Sequence, residues 1–427
     1  MSHSPDCLIL GGGIAGLWTL RTLVDAGYNA LLVETAALGH GQTIASQGIL
    51  HAGTKYALTG DASRASKAAA TAAAVWRECL AGTGPIDLRG AAVLSQHTCM
   101  FTTPGVGSRL AGLAASKALT SGPQKLSRAQ YPAAFADAPP GIAVYQLDEP
   151  VLDLPALLET LATPVRDRML RAQAVQLRWQ SAQSPQRAAL QSPQRQRRAE
   201  VHLTIAPPTS DATAESKNAD LHLTPRALVC TAGTGNEALL AALDLDAEIR
   251  TQRRPLHMVL ARRSAHGNDL PAIHAHCVGL SDKPRATITS ATDATGRTVW
   301  YIGGTLAESG VDRSPAAQIA QARQELAAVL PWIDLTGVEF ATLRVDRAEG
   351  FDANGQRPDT PVVRAHANVI ACWPTKLVLA PLAACAVLEH LKDLCEPAPK
   401  PSNTVPLDSP CPAPALPVWD NDNLLWT

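Results

Sequence analysis

"DCLILGGGIAGLWTLRTLVDAGYNALLVE" occupies residues 6–34, and its reading decides how the chain begins to fold. Asp6 to Leu10 is an apolar run that stops at Gly11, Gly13 and Gly16, spaced GxGxxG. Leu17, Leu20, Leu23 and Val24 follow at helical spacing. A second apolar run then ends in Glu34. Strand, tight turn, helix, strand and acid in this order predict a dinucleotide-binding unit. Gly11 permits the turn, Gly13 admits a pyrophosphate to the backbone, and Gly16 lets the helix pack on the strand. The helix N-terminus, with Ile14 and Ala15 in its first turn, faces the phosphates. Glu34 is placed to accept hydrogen bonds from a ribose diol, which favours FAD or NAD over NADP.

The next segment separates those two. An NAD domain continues with further strands and helices, whereas this chain enters a long polar loop, "GQTIASQGILHAGTKYAL", at residues 41–58. Its backbone donors and hydroxyls suit a cofactor that extends beyond the pyrophosphate, so Thr43, Ser46, Gln47 and Gly48 are expected to line the path of a flavin. His51 is read as a hydrogen-bonding residue of the same loop.

With that loop the chain resembles the FAD-dependent oxidoreductases grouped with D-amino acid oxidase, over roughly residues 5–395. The motifs are most similar to those of flavin-linked glycerol-3-phosphate dehydrogenase and L-2-hydroxyglutarate dehydrogenase. "LHAGTKYAL" looks like a stretch of the former in which an Arg-Tyr pair follows a histidine; here the pair is Lys55 and Tyr56, which keeps the charge but loses the fork. Gly233 in "RALVCTAGTGN" falls where that family closes its FAD domain under the cofactor. His257 in "RPLHMVL", Arg344 in "LRVDRAEG" and Lys376 with Leu377 in "CWPTKLVLAP" match the family's pocket, and Arg347 is an equal candidate to Arg344 by spacing. The resemblance implies hydride transfer from a carbon bearing a hydroxyl or amine to the flavin. Under it, His257 takes the hydroxyl proton, and Lys55, Arg344 and Lys376 hold an anionic substrate, with Tyr56 beside them; alternatively Lys376, with Leu377, binds the cofactor, its charge at the flavin N1–C2 edge. Trp373 and Pro374 replace the paired glycines of the dehydrogenases, which argues against glycerol-3-phosphate itself.

The expected fold class is α/β, with a Rossmann-like FAD-binding domain and a second, antiparallel-sheet substrate lobe. Residues 1–82, 148–245 and 341–396 are assigned to the FAD-binding domain, 83–147 and 246–340 to the substrate lobe, and 397–427 to a Pro-rich tail. Helices are predicted near Ser63 to Leu80, Pro155 to Leu161, and after Ser314, where Pro315 occupies the first position. Residues 86–96 and 142–147 read as strands of the second lobe. Residues 181–219, which carry the near repeat "QSPQR", read as a solvated and mobile insertion.

Composition limits the partners. The chain has 427 residues, enough for two lobes, and its 37 Lys plus Arg against 38 Asp plus Glu offer no general attraction for nucleic acid or an anionic membrane. Nine scattered cysteines form no CxxC pair and no Cys/His cluster at zinc spacing, so no metal is expected and a reducing compartment is. The Leu377 to Leu388 run contains Pro381 and is too short to span a bilayer. The expectation is a cytoplasmic protein, with peripheral membrane association as the alternative.

The leading reading is thus an FAD-dependent dehydrogenase or oxidase acting on a small anionic 2-hydroxy acid or polyol phosphate, passing electrons to oxygen, a quinone or a carrier protein. An amine oxidase of the glycine oxidase type and a flavin-bound protein without catalysis are the rivals.

Overall fold

The computed structural model describes residues 4–51, 64–103, 123–180, 198–205, 219–264, 269–279, 283–398 and 410–427. The opening segment forms a strand at Cys7–Leu10, a helix at Ile14–Asp25 and a strand at Ala30–Glu34. Both strands are buried and carry large apolar side chains at nearly every position, as in a sheet covered on both faces. Cys7, Ile9, Ala30 and Leu32 pack into one core, while Leu8, Leu10, Leu31 and Val33 pack into another. The period of two along each strand thus assigns its side chains to opposite layers.

Six strands make this first sheet, in the order Val362–His366, Val369–Trp373, Ala227–Cys230, Cys7–Leu10, Ala30–Glu34, Met169–Arg171. All neighbours run parallel except the edge pair formed by the first two. One face carries helices Ile14–Asp25, Arg64–Ala81, Leu154–Ala162 and Ala380–Leu394, whose buried faces share one apolar core. Asp153 caps the third of these helices by accepting a hydrogen bond from the Ala156 N–H. A three-stranded antiparallel sheet, Ala174–Trp179, Ala199–Ile205 and Ala219–Leu223, covers the other face.

The second lobe is an eight-stranded sheet ordered Val338–Gly350, Thr251–Arg263, Thr298–Gly303, Ala286–Thr292, Ala275–Val278, Thr98–Thr102, Val144–Leu147, Gln124–Lys125. It is antiparallel apart from the parallel pairing of Ala275–Val278 with Thr98–Thr102. Its outer face is covered by helix Pro315–Val329, which Ser314 caps through the Ala317 N–H. Its inner face presents Met258, Leu260, Val299, Tyr301 and Ala341 to the core shared with the first lobe.

Three expectations need correction. Residues 86–96 do not join the second lobe. Only Val93–Ser95 is extended, pairing with Val151–Leu152, while Ile86, Leu88 and Ala91 fill the first lobe's core. The 181–219 segment is not solvated throughout: Ala199–Ile205 is the central strand of the covering sheet, with Val201 fully buried. The boundary at 340/341 falls inside strand Val338–Gly350, which pairs with Thr251–Arg263 along its whole length. Residues 181–197 and 206–218 lie outside the described residues, and among those described no helix is long and apolar enough to cross a membrane.

The tail drapes over both lobes. Arg171 N–H donates to Pro410, and Leu38 exchanges backbone hydrogen bonds with Ala413 and Ala415. Further on, Thr427 pairs with Phe340 on an edge strand of the large sheet, and Trp426 stacks under Arg262 at 3.9 Å. That arginine is held by Asp293, whose carboxylate accepts from Arg262 at 3.3 Å and from Thr295 and Arg297 in its own turn. Burial alone would raise the Asp293 pKa, but the hydrogen bonds from Thr295 and Arg297 and the Arg297 charge bring it below the usual value. The carboxylate therefore stabilises the fold above its unfolded pKa of about 3.9, and loses that contribution as pH falls through the lower folded value. Asp293→Asn should cost about 1–3 kcal/mol at neutral pH and less at pH 3, measured by urea denaturation at both pH values.

Candidate functional site

Leu10, Glu34, Cys230 and Trp373 end four parallel strands on one edge of the first sheet, the edge where α/β sheets bind ligands. Gly11, with φ +108°, lies so near its neighbour that a Cβ would be 2.6 Å from the Ala232 Cα. A Cβ on Gly16 would be 1.9 Å from the Gly11 carbonyl oxygen, so only glycine lets this helix start so close to the strand. At Gly13 the nearest atom to a Cβ is the Thr43 hydroxyl, at 3.2 Å. Thr43 also accepts the Ile14 N–H at 3.1 Å, so it binds the start of the helix, with Ala15 buried in its first turn.

Glu34 arranges the rim of this cradle. One carboxylate oxygen accepts the Gly12 N–H at 2.7 Å and the other accepts those of Thr35 and Ala36. Oε2, with one bond made, keeps a further lone pair for a donor such as a ribose hydroxyl. Gly233, at φ +60°, opens the short turn after Ala227–Cys230. Thr375 has φ +63°, a strained backbone for a β-branched residue. It precedes Lys376 and the short helix Leu377–Leu379, where Val378 accepts from the Trp76 indole. The Ser46 hydroxyl, the Thr375 hydroxyl and the Trp373 indole nitrogen are buried without a hydrogen-bond partner among the described residues. Buried polar atoms left unpaired cost stability unless a ligand or water meets them. Trp373 packs under the covering sheet and Ser46 lines a small cavity with Leu152 and Trp419, so the glycine cradle with Glu34 and Thr375 is the part that fits a large polar cofactor.

The polar loop then crosses to the second lobe. Gly48 has φ +68° and lies against the Leu152 carbonyl, and Leu50 N–H donates to Pro150. Gln47 donates from Nε2 to the carbonyls of Thr287 and Tyr301, at 2.9 and 2.8 Å, on adjacent strands of the large sheet. Gly303 makes room for it, since a Cβ there would be 2.8 Å from Gln47 Oε1.

Where the loop meets the sheet there is a group that the sequence did not reveal. His51 Nδ1 lies 3.1 Å from Glu149 Oε2, and His276 Nε2 lies 3.6 Å from the same oxygen. Glu149 and His276 are buried and His51 is partly exposed. Burial would raise the Glu149 pKa, but the His51 charge and hydrogen bonds from both imidazoles hold it well below the usual carboxylate range. A second cluster, Glu200, His202 and His222, lies on the partly exposed covering sheet. No spacing rule connects either set; the one local signal was "HAHCV", with polar and small apolar residues alternating as on a half-buried strand.

The expected pocket residues do not all converge. His257 alternates with Leu256 and Met258, which face the first lobe, so it points to the outer face. There its Nδ1 lies 2.9 Å from the Gly310 carbonyl oxygen, while Gln318 of the covering helix donates to the His257 carbonyl. Its side chain is fully buried, and burial lowers its pKa. Arg344 is directly opposite His257 on the same outer face, and its guanidinium donates to the Val311 and Arg313 carbonyls. The assignments of His257 as base and Arg344 as anion clamp are therefore corrected. Arg347 instead shares the register of Leu343 and Val345, which pack toward the first lobe, and pairs with Glu308 at 3.6 Å. Lys55 and Tyr56 lie outside the described residues.

Comparison with known proteins agrees with this geometry. The family described as FAD dependent oxidoreductase matches residues 6–380. The probable FAD-dependent oxidoreductase PA4991 of Pseudomonas aeruginosa is 40% identical over 419 residues, covering 98% of both chains. Its crystal structure gives a TM-score of 0.77 at 36% identity, again over 98% of each chain. Glycine oxidase from Geobacillus kaustophilus, at 15% identity and TM-score 0.61, covers 92% of this chain and 96% of its own. L-alpha-glycerophosphate oxidase from Mycoplasma pneumoniae, solved with FAD bound, gives TM-score 0.59 at 12% identity, over 94% and 98%. The last two share the fold and say nothing further of this chain.

The cradle predicts its own test. Gly16→Val should give protein with little or no flavin, read from the ratio of visible to ultraviolet absorbance after purification. Gly296→Ala, at a turn of the second lobe where φ +86° strains the substitution but a Cβ meets nothing, should lose some stability and keep the full complement.

Proposed function

Because the chain belongs to the FAD-dependent oxidoreductase family, we propose that it oxidises a small anionic 2-hydroxy acid or polyol phosphate at the carbon bearing the hydroxyl. The observation that carries this reading is the polar seam between the loop and the inner face of the large sheet. An apolar substrate would gain nothing from a buried carboxylate flanked by two imidazoles, whereas a substrate hydroxyl can bond to them, and the cations Arg347 and Lys376 suit its anionic group.

FAD, when bound, accepts the hydride. The residues of the chain do the rest. Gly11, Gly13 and Gly16 give the pyrophosphate backbone to lie on, and Glu34 orients the ribose. Ser46, Gln47 and Gly48 hold the loop along the cofactor's path, Gln47 by its bonds to the sheet. His51, Glu149 and His276 meet the hydroxyl end of the substrate. Lys376, with Leu377 behind it, brings positive charge to the strand-end crevice, and Lys55 and Tyr56 belong to the same reading. Arg347 replaces Arg344 as the arginine on the substrate side.

Removing His257 from the pocket also favours a second reading, oxidation of an amine, which needs no dedicated base. Anaerobic titration separates the two: flavin absorbance near ~450 nm is followed against 2-hydroxy acids, glycerol-3-phosphate, glycine, sarcosine and both enantiomers of common amino acids. Bleaching by a hydroxy compound is the expected result, and Arg347→Ala should then raise KM about 10-fold or more. Bleaching by amines alone would replace the proposal with the second reading, and a flavin that nothing on the panel reduces would count against both.

A further inference from the structure

We propose that His51, Glu149 and His276 form a binding site for one divalent transition-metal ion, of the zinc type, with a position left open for a substrate oxygen. Three separate elements deliver the ligands: the end of the loop paired with residues 150–152, the turn before Val151–Leu152, and strand Ala275–Val278. One ligand atom from each residue lies within 4.8 Å of the other two. A tetrahedral zinc site needs donors roughly 3.3 Å apart, given bond lengths of about 2.0–2.1 Å. The observed separations of 3.1 and 3.6 Å from Glu149 Oε2 are already near that value.

The surroundings suit a metal. His276 Nδ1 lies 2.9 Å from the Thr287 hydroxyl. On metal binding, Nε2 gives up the proton with which it bonds Glu149, and Nδ1–H donates to the Thr287 hydroxyl. A metal-ligating histidine is commonly oriented in this way, by the bond its other ring nitrogen makes. Two imidazoles and one carboxylate favour zinc and the later first-row metals over magnesium or calcium, which take oxygen ligands. The Glu149 side chain is 3% exposed and that of His276 8%, while His51, at 29%, leaves a way in for ion and substrate. Metal binding itself does not depend on the proposed reaction; only the role of the open position rests on that reading.

The test uses the full-length flavoprotein, treated with a chelator and titrated with Co2+. We expect about one equivalent bound per chain, with visible d–d absorption seen as a difference spectrum against the flavin. Glu149→Gln and His276→Gln should abolish that band with flavin content unchanged. Thr287→Val should weaken binding about 10-fold or more. If the buried variants do not fold, His51→Gln tests the same ligand set from its accessible side. A His202→Asn, His222→Asn double variant removes the other cluster and should leave the band intact. Absence of the Co2+ band in the parent protein, or a band that survives loss of Glu149, His276 or His51, would overturn the inference and leave a proton-bridged ion pair. Metal binding without bleaching by any hydroxy compound would defeat the proposed reaction alone, and bleaching without metal binding would defeat this inference alone.

Discussion

Everything on the substrate side depends on one side-chain amide. Gln47 donates both its protons to carbonyls of neighbouring strands in the large sheet, so the loop that leaves the dinucleotide unit is pinned to the other lobe. Two hydrogen bonds to main-chain oxygens fix an orientation as well as a distance. The pin is possible because residue 303 is glycine, and it determines where Ser46, Gly48 and His51 lie. Without it the cradle could still take a nucleotide, but its reactive end would not face a defined wall.

The first lobe was legible because its sequence signals are local and agree with one another. Glycines at 11, 13 and 16, apolar residues at helical spacing and an acid at the end of the second strand all specify the same turn. The cap at Ser314 was readable for the same reason, being followed by a proline and a helix-forming run. The second lobe was harder to read. Strand Thr251–Arg263 is covered on both faces, so "LHMVLA" is apolar in both registers and nothing in it shows which way His257 points. A motif match supplied a direction that the strand's period then reversed. "IDLRGAAVLSQ" misled for a related reason: its apolar residues do serve a core, but as a coil packed on the first lobe.

Glu149 and His276 escaped notice, and His51 was read without them, because nothing local joins the three. They are brought together by a parallel pairing within an otherwise antiparallel sheet and by a loop crossing between lobes. Each is unremarkable in its own stretch of chain, and only tertiary structure makes a group of them. The same holds for the Pro-rich tail, whose backbone pairs with both lobes.

The order of strands in the first sheet also constrains how the chain can acquire its structure. Cys7–Leu10 has Ala30–Glu34 on one side and Ala227–Cys230 on the other, and the latter in turn leans on Val369–Trp373. Most of the second lobe is threaded between those partners in sequence. Closing such long loops carries an entropic cost before the contacts form, which slows folding. During that delay the first strands expose apolar surface and unpaired edges, the condition under which partly folded chains associate. Recovery from full denaturation should therefore fall as protein concentration rises, a property set by connectivity alone.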